Sequence, residues 1–301
     1  MPKYPNARQR FSGSSRANRA EERSGRPRSE CVMGASRLVA FVLALCAVSS
    51  MTSVALADTV HLYAAGSLRA ALNDVAKAFE EKTANKVEAK YGPSGILKNE
   101  IAGGVKADVF ASANMEHPRA LSEARKSGPV VLFTRNKLCA LVKPGLNVTS
   151  ANLLDRMLDP AVKLGTSTPK ADPSGDYAFA VFAHAEKIKP GAQAALEKKA
   201  LLLTGSASSA APPAGRTVYG WHVADGRADI FLTYCTNALT AQKENPGQQS
   251  VMLPDALAIA ADYGLTVIEG APAGAQAFAQ FVLSETGQNI LARHGFAPAT
   301  R

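Results

Sequence analysis

The chain has little of what marks specialised chemistry. It carries four cysteines and one tryptophan in 301 residues, and its five histidines (His61, His117, His184, His222, His294) are scattered. No Cys/His grouping has metal-ligand spacing, so a zinc or iron–sulfur site is not expected. Neither a P-loop nor a G-x-G-x-x-G turn is present, which removes the two common phosphate-cradling fingerprints. Fixed charge is scarce as well. The formal net charge is +9, but residues 1–57 hold nine Lys/Arg against three Asp/Glu. The remaining 25 Lys/Arg and 22 Asp/Glu leave only +3 for residues 58–301, so a nucleic-acid-binding reading loses its main support. What remains is an ordinary globular composition, 47% hydrophobic and 20% charged, enough for one large or two medium domains.

The basic leader is a targeting segment. Residues 1–32 are Arg/Ser-rich and patternless. Arg37 is followed by the apolar run Leu38 to Val48, and Ala55-Leu56-Ala57 is a small-x-small cleavage site. These are the parts of a secretory signal peptide, with cleavage expected after Ala57. The apolar run is too short to span a bilayer, so the mature chain is not itself membrane-spanning. Leu45 before Cys46 lacks the small residue a lipoprotein signal needs. A translation start at Met33 gives a signal of ordinary length; N-terminal sequencing of the precursor decides this. Export places the mature Cys139 and Cys235 in an oxidising compartment, where one disulfide or two buried thiols are both open.

Past the leader, strands alternate with helices, which predicts an α/β fold with sheets covered on both faces. Leu62-Tyr63-Ala64-Ala65-Gly66-Ser67-Leu68 reads as a buried strand, a small-residue turn and a serine at a helix mouth. Leu68, Leu72, Val75 and Phe79 then mark one helical face. The arrangement returns at Gly92-Pro93-Ser94-Gly95, before a helix stopped by Gly103-Gly104, and at Asp172-Pro173-Ser174-Gly175. Strands are expected at Val130–Phe133 and Leu138–Val142, with Arg135-Asn136-Lys137 as the turn between them. Asp229–Cys235 is read as a buried strand with a polar end, Thr236-Asn237. Helix starts offer unpaired N–H groups and the positive end of the dipole, so serine turns at strand ends suit anion binding. Gly92-Pro93-Ser94-Gly95-Ile96 lacks the closing glycine of a hydrolase elbow.

On these residues the mature chain resembles the periplasmic molybdate-binding proteins of ABC importers. The matching stretches are Tyr63-Ala64-Ala65-Gly66-Ser67-Leu68, Tyr91-Gly92-Pro93-Ser94-Gly95-Ile96-Leu97, Ala107-Asp108-Val109-Phe110-Ala111-Ser112-Ala113, Asp172-Pro173-Ser174-Gly175-Asp176-Tyr177-Ala178 and Ala228-Asp229-Ile230-Phe231-Leu232-Thr233-Tyr234. The resemblance implies a two-lobed periplasmic binding protein fold with two hinge crossovers and the ligand cleft between lobes. It assigns residues 58–138 plus 245–301 to lobe 1 and 139–244 to lobe 2. It implies capture of a tetrahedral oxyanion, molybdate first, by a monomer that delivers it to a membrane permease with a cytoplasmic ATPase, without a cofactor or resident metal. Tungstate, sulfate or another small anion is the alternative ligand, and an exported serine-dependent hydrolase the alternative class. Carried over by position, Ser67 gives hydroxyl and N–H, Ser174 its N–H, and Tyr234 its hydroxyl. A further backbone donor falls on Arg216, or on Val218 given the variable loop. In the second turn the expected ligand serine is Pro93, which has neither hydroxyl nor N–H, so either Ser94 takes its place or the site is one donor poorer.

Overall fold

The computed structural model describes residues 57–299, so the expected signal peptide lies outside the described residues apart from Ala57. Among the described residues no helix is long and apolar enough to cross a membrane.

The first half of the fold is built from β1 (Thr59–Ala65), α1 (Arg69–Lys82), β2 (Lys86–Gly92), α2 (Ser94–Ala102), β3 (Val109–Ser112) and α3 (Glu116–Glu123). Alternation makes β1 a strand: Val60, Leu62 and Ala64 are buried on one face. The apolar stripe of α1, through Leu72, Val75 and Phe79, packs on that face. Phe79 also meets Phe278 edge-on, ring centres 5.3 Å apart. β1 pairs in parallel with both β2 and β3. Their carboxyl ends, and the turns after them, therefore face one side.

β4 (Val131–Val142) leaves this sheet and enters another. Residues 131–137 pair with β9 (Ala260–Val267), whereas residues 138–142 pair with β7 (Ile230–Tyr234) and β8 (Gln249–Met252). The turn expected at Arg135-Asn136-Lys137 does not form. The Arg135 and Asn136 side chains each find a partner from the extended strand. Arg135 Nε bonds Asp262 Oδ1 at 2.9 Å, and buried Asn136 donates to Thr236 Oγ1 at 2.9 Å. The second sheet continues from β7 to β5 (Leu164–Ser167) and β6 (Leu201–Thr204), again in parallel. It is covered by α4 (Leu153–Leu158), α5 (Pro173–Ile188), α6 (Ala192–Lys199), α7 (Val218–Ala224) and α8 (Cys235–Glu244). The chain returns through residues 253–259 to β9, then α9 (Ala273–Leu283), α10 (Glu285–Arg293) and β10 (Ala297–Pro298), which pairs with β4. Two lobes are thus joined by β4 and by the stretch between β8 and β9.

Helix α8 starts directly after Tyr234, which is its extended N-cap residue, so the polar Thr236-Asn237 opens a helix instead of ending a strand. Cys235, the first residue of α8, is disulfide-bonded to Cys139 on β4. The bond ties the Tyr234 corner to the crossover strand.

Candidate functional site

The parallel strands of both lobes present their carboxyl ends to the space between them. From the first lobe comes Ser67, in a tight turn over Gly66–Leu68 that precedes α1. The expected N-cap role of Ser67 is not observed: α1 begins at Arg69, with Leu68 in the cap position and no side-chain cap. The Ser67 hydroxyl instead meets Tyr263 Oη at 2.9 Å. Tyr263, on β9, is fully buried and also lies 3.4 Å from Asn136 Nδ2. Burial pushes the Tyr263 phenol well above the ordinary tyrosine range, so it is a neutral hydroxyl near pH 7.

From the second lobe come Ser167, at the end of β5, and Ser174, in the first turn of α5. Gly175 lets this turn lie against the strand end, because a Cβ there would sit 2.5 Å from the Ser167 carbonyl oxygen. Asp172 caps α5, its Oδ1 accepting from Ser174 N–H at 3.0 Å. Burial, the largest influence, pushes the Asp172 carboxyl up to about 6, against the opposing effect of that hydrogen bond. Tyr234 ends β7, and its ring stands edge-on to Tyr263 at 5.5 Å and Tyr177 at 6.2 Å. The Tyr263 contact carries the site across the two lobes.

Three hydroxyls here are fully buried and make no hydrogen bond of ordinary geometry among the described residues: Ser167 Oγ, Ser174 Oγ and Tyr234 Oη. Thr166 Oγ1, one residue earlier on the strand, is also unpartnered. Buried polar atoms are nearly always paired, since an orphan costs about 1–3 kcal/mol of uncompensated desolvation. Three orphans grouped at strand ends and a helix start are therefore a half-built hydrogen-bond shell. A shell of neutral donors holds an oxyanion by dipoles and hydroxyls without a fixed cation.

The other sequence-predicted residues are engaged. Ser94 is buried at the start of α2, and its hydroxyl accepts from Ala113 N–H at 3.1 Å, fixing the end of β3. The next N–H, of Gly95, donates at 2.9 Å to the Ala171 carbonyl. Ala171 belongs to the β5–α5 loop of the second lobe, so this helix start receives a backbone oxygen from across the cleft. Arg216 N–H donates to Pro213 O at 3.1 Å and its guanidinium reaches Asn245 Oδ1 at 3.1 Å. Thr217, at the N-cap of α7, is tied to Glu244, and Val218 is the first residue of that helix. Sequence reasoning missed Ser167, Asp172, Tyr263 and Asn136. Ser167 precedes a loop rich in Thr and Pro and gives no helix-mouth signal; Tyr263 and Asn136 enter only through strand pairing. A surface cavity lined by Asp58, Lys106, Lys126 and Glu269 lies where β1 and β3 begin, at the other end of the sheet, and contains none of these hydroxyls.

Two α/β lobes joined by two crossovers, with buried hydroxyls at the strand ends between them, define a two-lobed periplasmic binding protein fold. A family model described as bacterial extracellular solute-binding protein matches residues 60–297, and the chain belongs to that family. It is 34% identical over 242 residues to the uncharacterized protein PM1146 of Pasteurella multocida (strain Pm70), covering 80% of this chain and 99% of that one. Among solved structures, the periplasmic molybdate-binding protein of Azotobacter vinelandii matches with a TM-score of 0.64 at 19% identity, over 79% of this chain and 98% of its own. The sulfate-binding protein SubI from Mycobacterium tuberculosis H37Rv matches with 0.66 at 20% identity, over 81% of this chain and 88% of its own.

Proposed function

We propose that this protein is the extracytoplasmic binding component of an ABC importer, capturing a tetrahedral oxyanion, with molybdate the first candidate. The observation that carries the reading is the set of unpartnered buried hydroxyls of Ser167, Ser174 and Tyr234. They face the first lobe through the Tyr234–Tyr263 contact and thence Ser67. In this reading Ser67, Ser174 and Tyr234 hold the anion. Ser94 and Arg216 join only if their N–H groups or side chains exchange present partners for the ligand. The division at 138/139 is kept as part of the proposal, while the second boundary, expected at 244/245, is moved past β8 because Gln249–Met252 pairs on residues 139–142 of β4. Cleavage after Ala57, release into the periplasm as a monomer, and delivery to a permease with its ATPase complete the reading. Tungstate and sulfate share the required geometry. The alternative of a serine hydrolase is disfavoured because, among the described residues, no histidine hydrogen-bonds Ser67, Ser94 or Ser174.

Thermal melting with molybdate, tungstate, sulfate and phosphate tests the proposal. A ligand at 100 times its dissociation constant stabilises the fold by about 2.7 kcal/mol, or roughly 5–10 °C for a chain of this size. Absence of a shift with every oxyanion refutes the reading and leaves the family assignment standing.

A further inference from the structure

Asp172 is an anomaly in a site built for an anion. Its carboxyl is nine-tenths buried in the lobe that supplies the orphan hydroxyls. One oxygen accepts from Ser174 N–H, the donor that the α5 start would otherwise offer to a ligand. The other has no hydrogen-bond partner among the described residues, and the chain makes room for it: at Gly205 a Cβ would lie 3.0 Å from Asp172 Oδ2 and 2.6 Å from its Cβ. The groups around it are known from each neighbouring element. On α5 they are Ser174 and Asp176, whose negative charge opposes ionisation of Asp172. On β5 the Ser167 hydroxyl lies beside it without a hydrogen bond of ordinary geometry. On α7 and β7 the Tyr219 and Tyr234 phenols feel its charge, and burial keeps both neutral. No cation stands among these groups.

An ionised carboxylate facing a bound dianion in such surroundings is repelled at short range. A proton between them converts the repulsion into a charge-assisted hydrogen bond. We propose that this site binds its anion together with one proton, shared with Asp172, and so selects between anions that carry a proton and those that do not. The inference rests on the oxyanion reading above. A fully deprotonated anion such as molybdate or sulfate binds as Asp172 takes one proton from solvent, and the new O–H donates to an anion oxygen. Hydrogen phosphate arrives with its own O–H and donates it to the Asp172 carboxylate, with no proton taken up.

The raised Asp172 pKa, about 6, sets where the linkage is visible. Above that pH the affinity for molybdate should fall on the order of tenfold per pH unit, while that for hydrogen phosphate stays level. The experiment is calorimetric titration of the wild-type protein and of Asp172→Asn with molybdate, sulfate and phosphate. It is run across about pH 6.5 to 8.5, in two buffers of different ionisation enthalpy. Asparagine keeps the acceptor for Ser174 N–H, so the helix cap survives, and a second variant, Asp172→Ser, caps equally well. The expected result is uptake of about one proton per molybdate in the wild type and none in either variant. A pH-independent molybdate affinity in the wild type, or an unchanged slope in Asp172→Asn, overturns the inference alone. Failure of every anion to bind wild type and variants overturns the oxyanion reading and the inference with it.

Discussion

Gly95 is the point where the lobes touch through backbone, and replacing it by alanine isolates that contact. An alanine Cβ would lie 2.3 Å from the Lys170 carbonyl oxygen and 2.8 Å from that of Ala171, both on the facing loop. Real Cβ contacts essentially never fall below 3.0 Å, and both obstacles are backbone, so the loop has to retreat by most of an ångström. Retreat breaks the 2.9 Å Gly95 N–H to Ala171 bond, worth about 0.5–1.5 kcal/mol net. Overpacking adds about 1–3 kcal/mol. Together these are about 2–4 kcal/mol against the touching arrangement, or roughly 30- to 1,000-fold in an affinity that depends on it. Within the isolated lobe the substitution is favourable, since alanine gains up to about 1 kcal/mol over glycine in a helix. The variant should therefore melt within a few degrees of wild type while losing anion affinity in calorimetric titration, with a larger radius of gyration by X-ray scattering. An affinity within about threefold of wild type refutes the reasoning, because the liganded state then does not include this contact.

Tyr234→Phe removes a buried hydroxyl that makes no hydrogen bond of ordinary geometry among the described residues. Unliganded stability by denaturant titration should hold or rise by about 1 kcal/mol, while anion affinity falls roughly 10- to 100-fold; a loss of stability above 1 kcal/mol means the hydroxyl is bonded at rest. The Cys139–Cys235 disulfide spans 96 residues, for which loop entropy gives up to about 4.7 kcal/mol. Reduction, or Cys139→Ser with Cys235→Ser, should lower the melting temperature by about 10 °C, and an unchanged melt shows that the lobe packing alone fixes this corner. Asp172 binds a proton more tightly folded than unfolded, its pKa moving from 3.8 to about 6. The stability this confers is complete below 3.8 and is lost as pH rises through about 6. Asp172→Asn should therefore stabilise the unliganded protein near neutral pH, by at most about 3 kcal/mol, and gain nothing near pH 4. An equal effect at both pH values contradicts the assignment.

The fold was largely legible because local signals and tertiary demands agree over most of the chain. The α1 stripe and the alternation of β1 each specify one face, and each is buried on it. Reading failed where a tertiary partner overrides a local cue. Arg135-Asn136-Lys137 has turn composition, and Asp262 and Thr236, a hundred or more residues away, explain why it stays extended. The pattern of Ala192–Leu203 predicts one helix, yet the helix stops at Lys199 and Leu201–Thr204 forms strand β6 on the open edge of β5. Such pairings cannot be read from a window of a dozen residues.

The site divides along the same line, and the division bears on which anion it takes. Ser67 and Ser174 stand at helix mouths, which have their own sequence pattern, whereas Tyr234 enters the proposed site only through the family resemblance. Asp172 gives no such signal, because an aspartate before Pro-Ser-Gly is fully accounted for as a cap. Only the folded structure shows that the same carboxyl is buried beside the Ser167 hydroxyl. The second turn shows the reverse. Pro93-Ser94-Gly95 has the pattern of an anion mouth, yet the Gly95 N–H donates to the Ala171 carbonyl, and Ser94 serves the end of β3. One expected donor position is thus filled by the protein's own oxygen, and another helix start by its own carboxylate. In the proposed reading a dianion meets fewer N–H groups than the serine turns suggest and more hydroxyls, since Ser167 joins Ser174 and Tyr234. Hydroxyls accept as well as donate, so such a shell tolerates an anion that brings a proton better than a shell of N–H groups does. The departure at Pro93 and the presence of Asp172 therefore pull in one direction, toward an anion whose protonation state, and not its size alone, decides its place in the cleft.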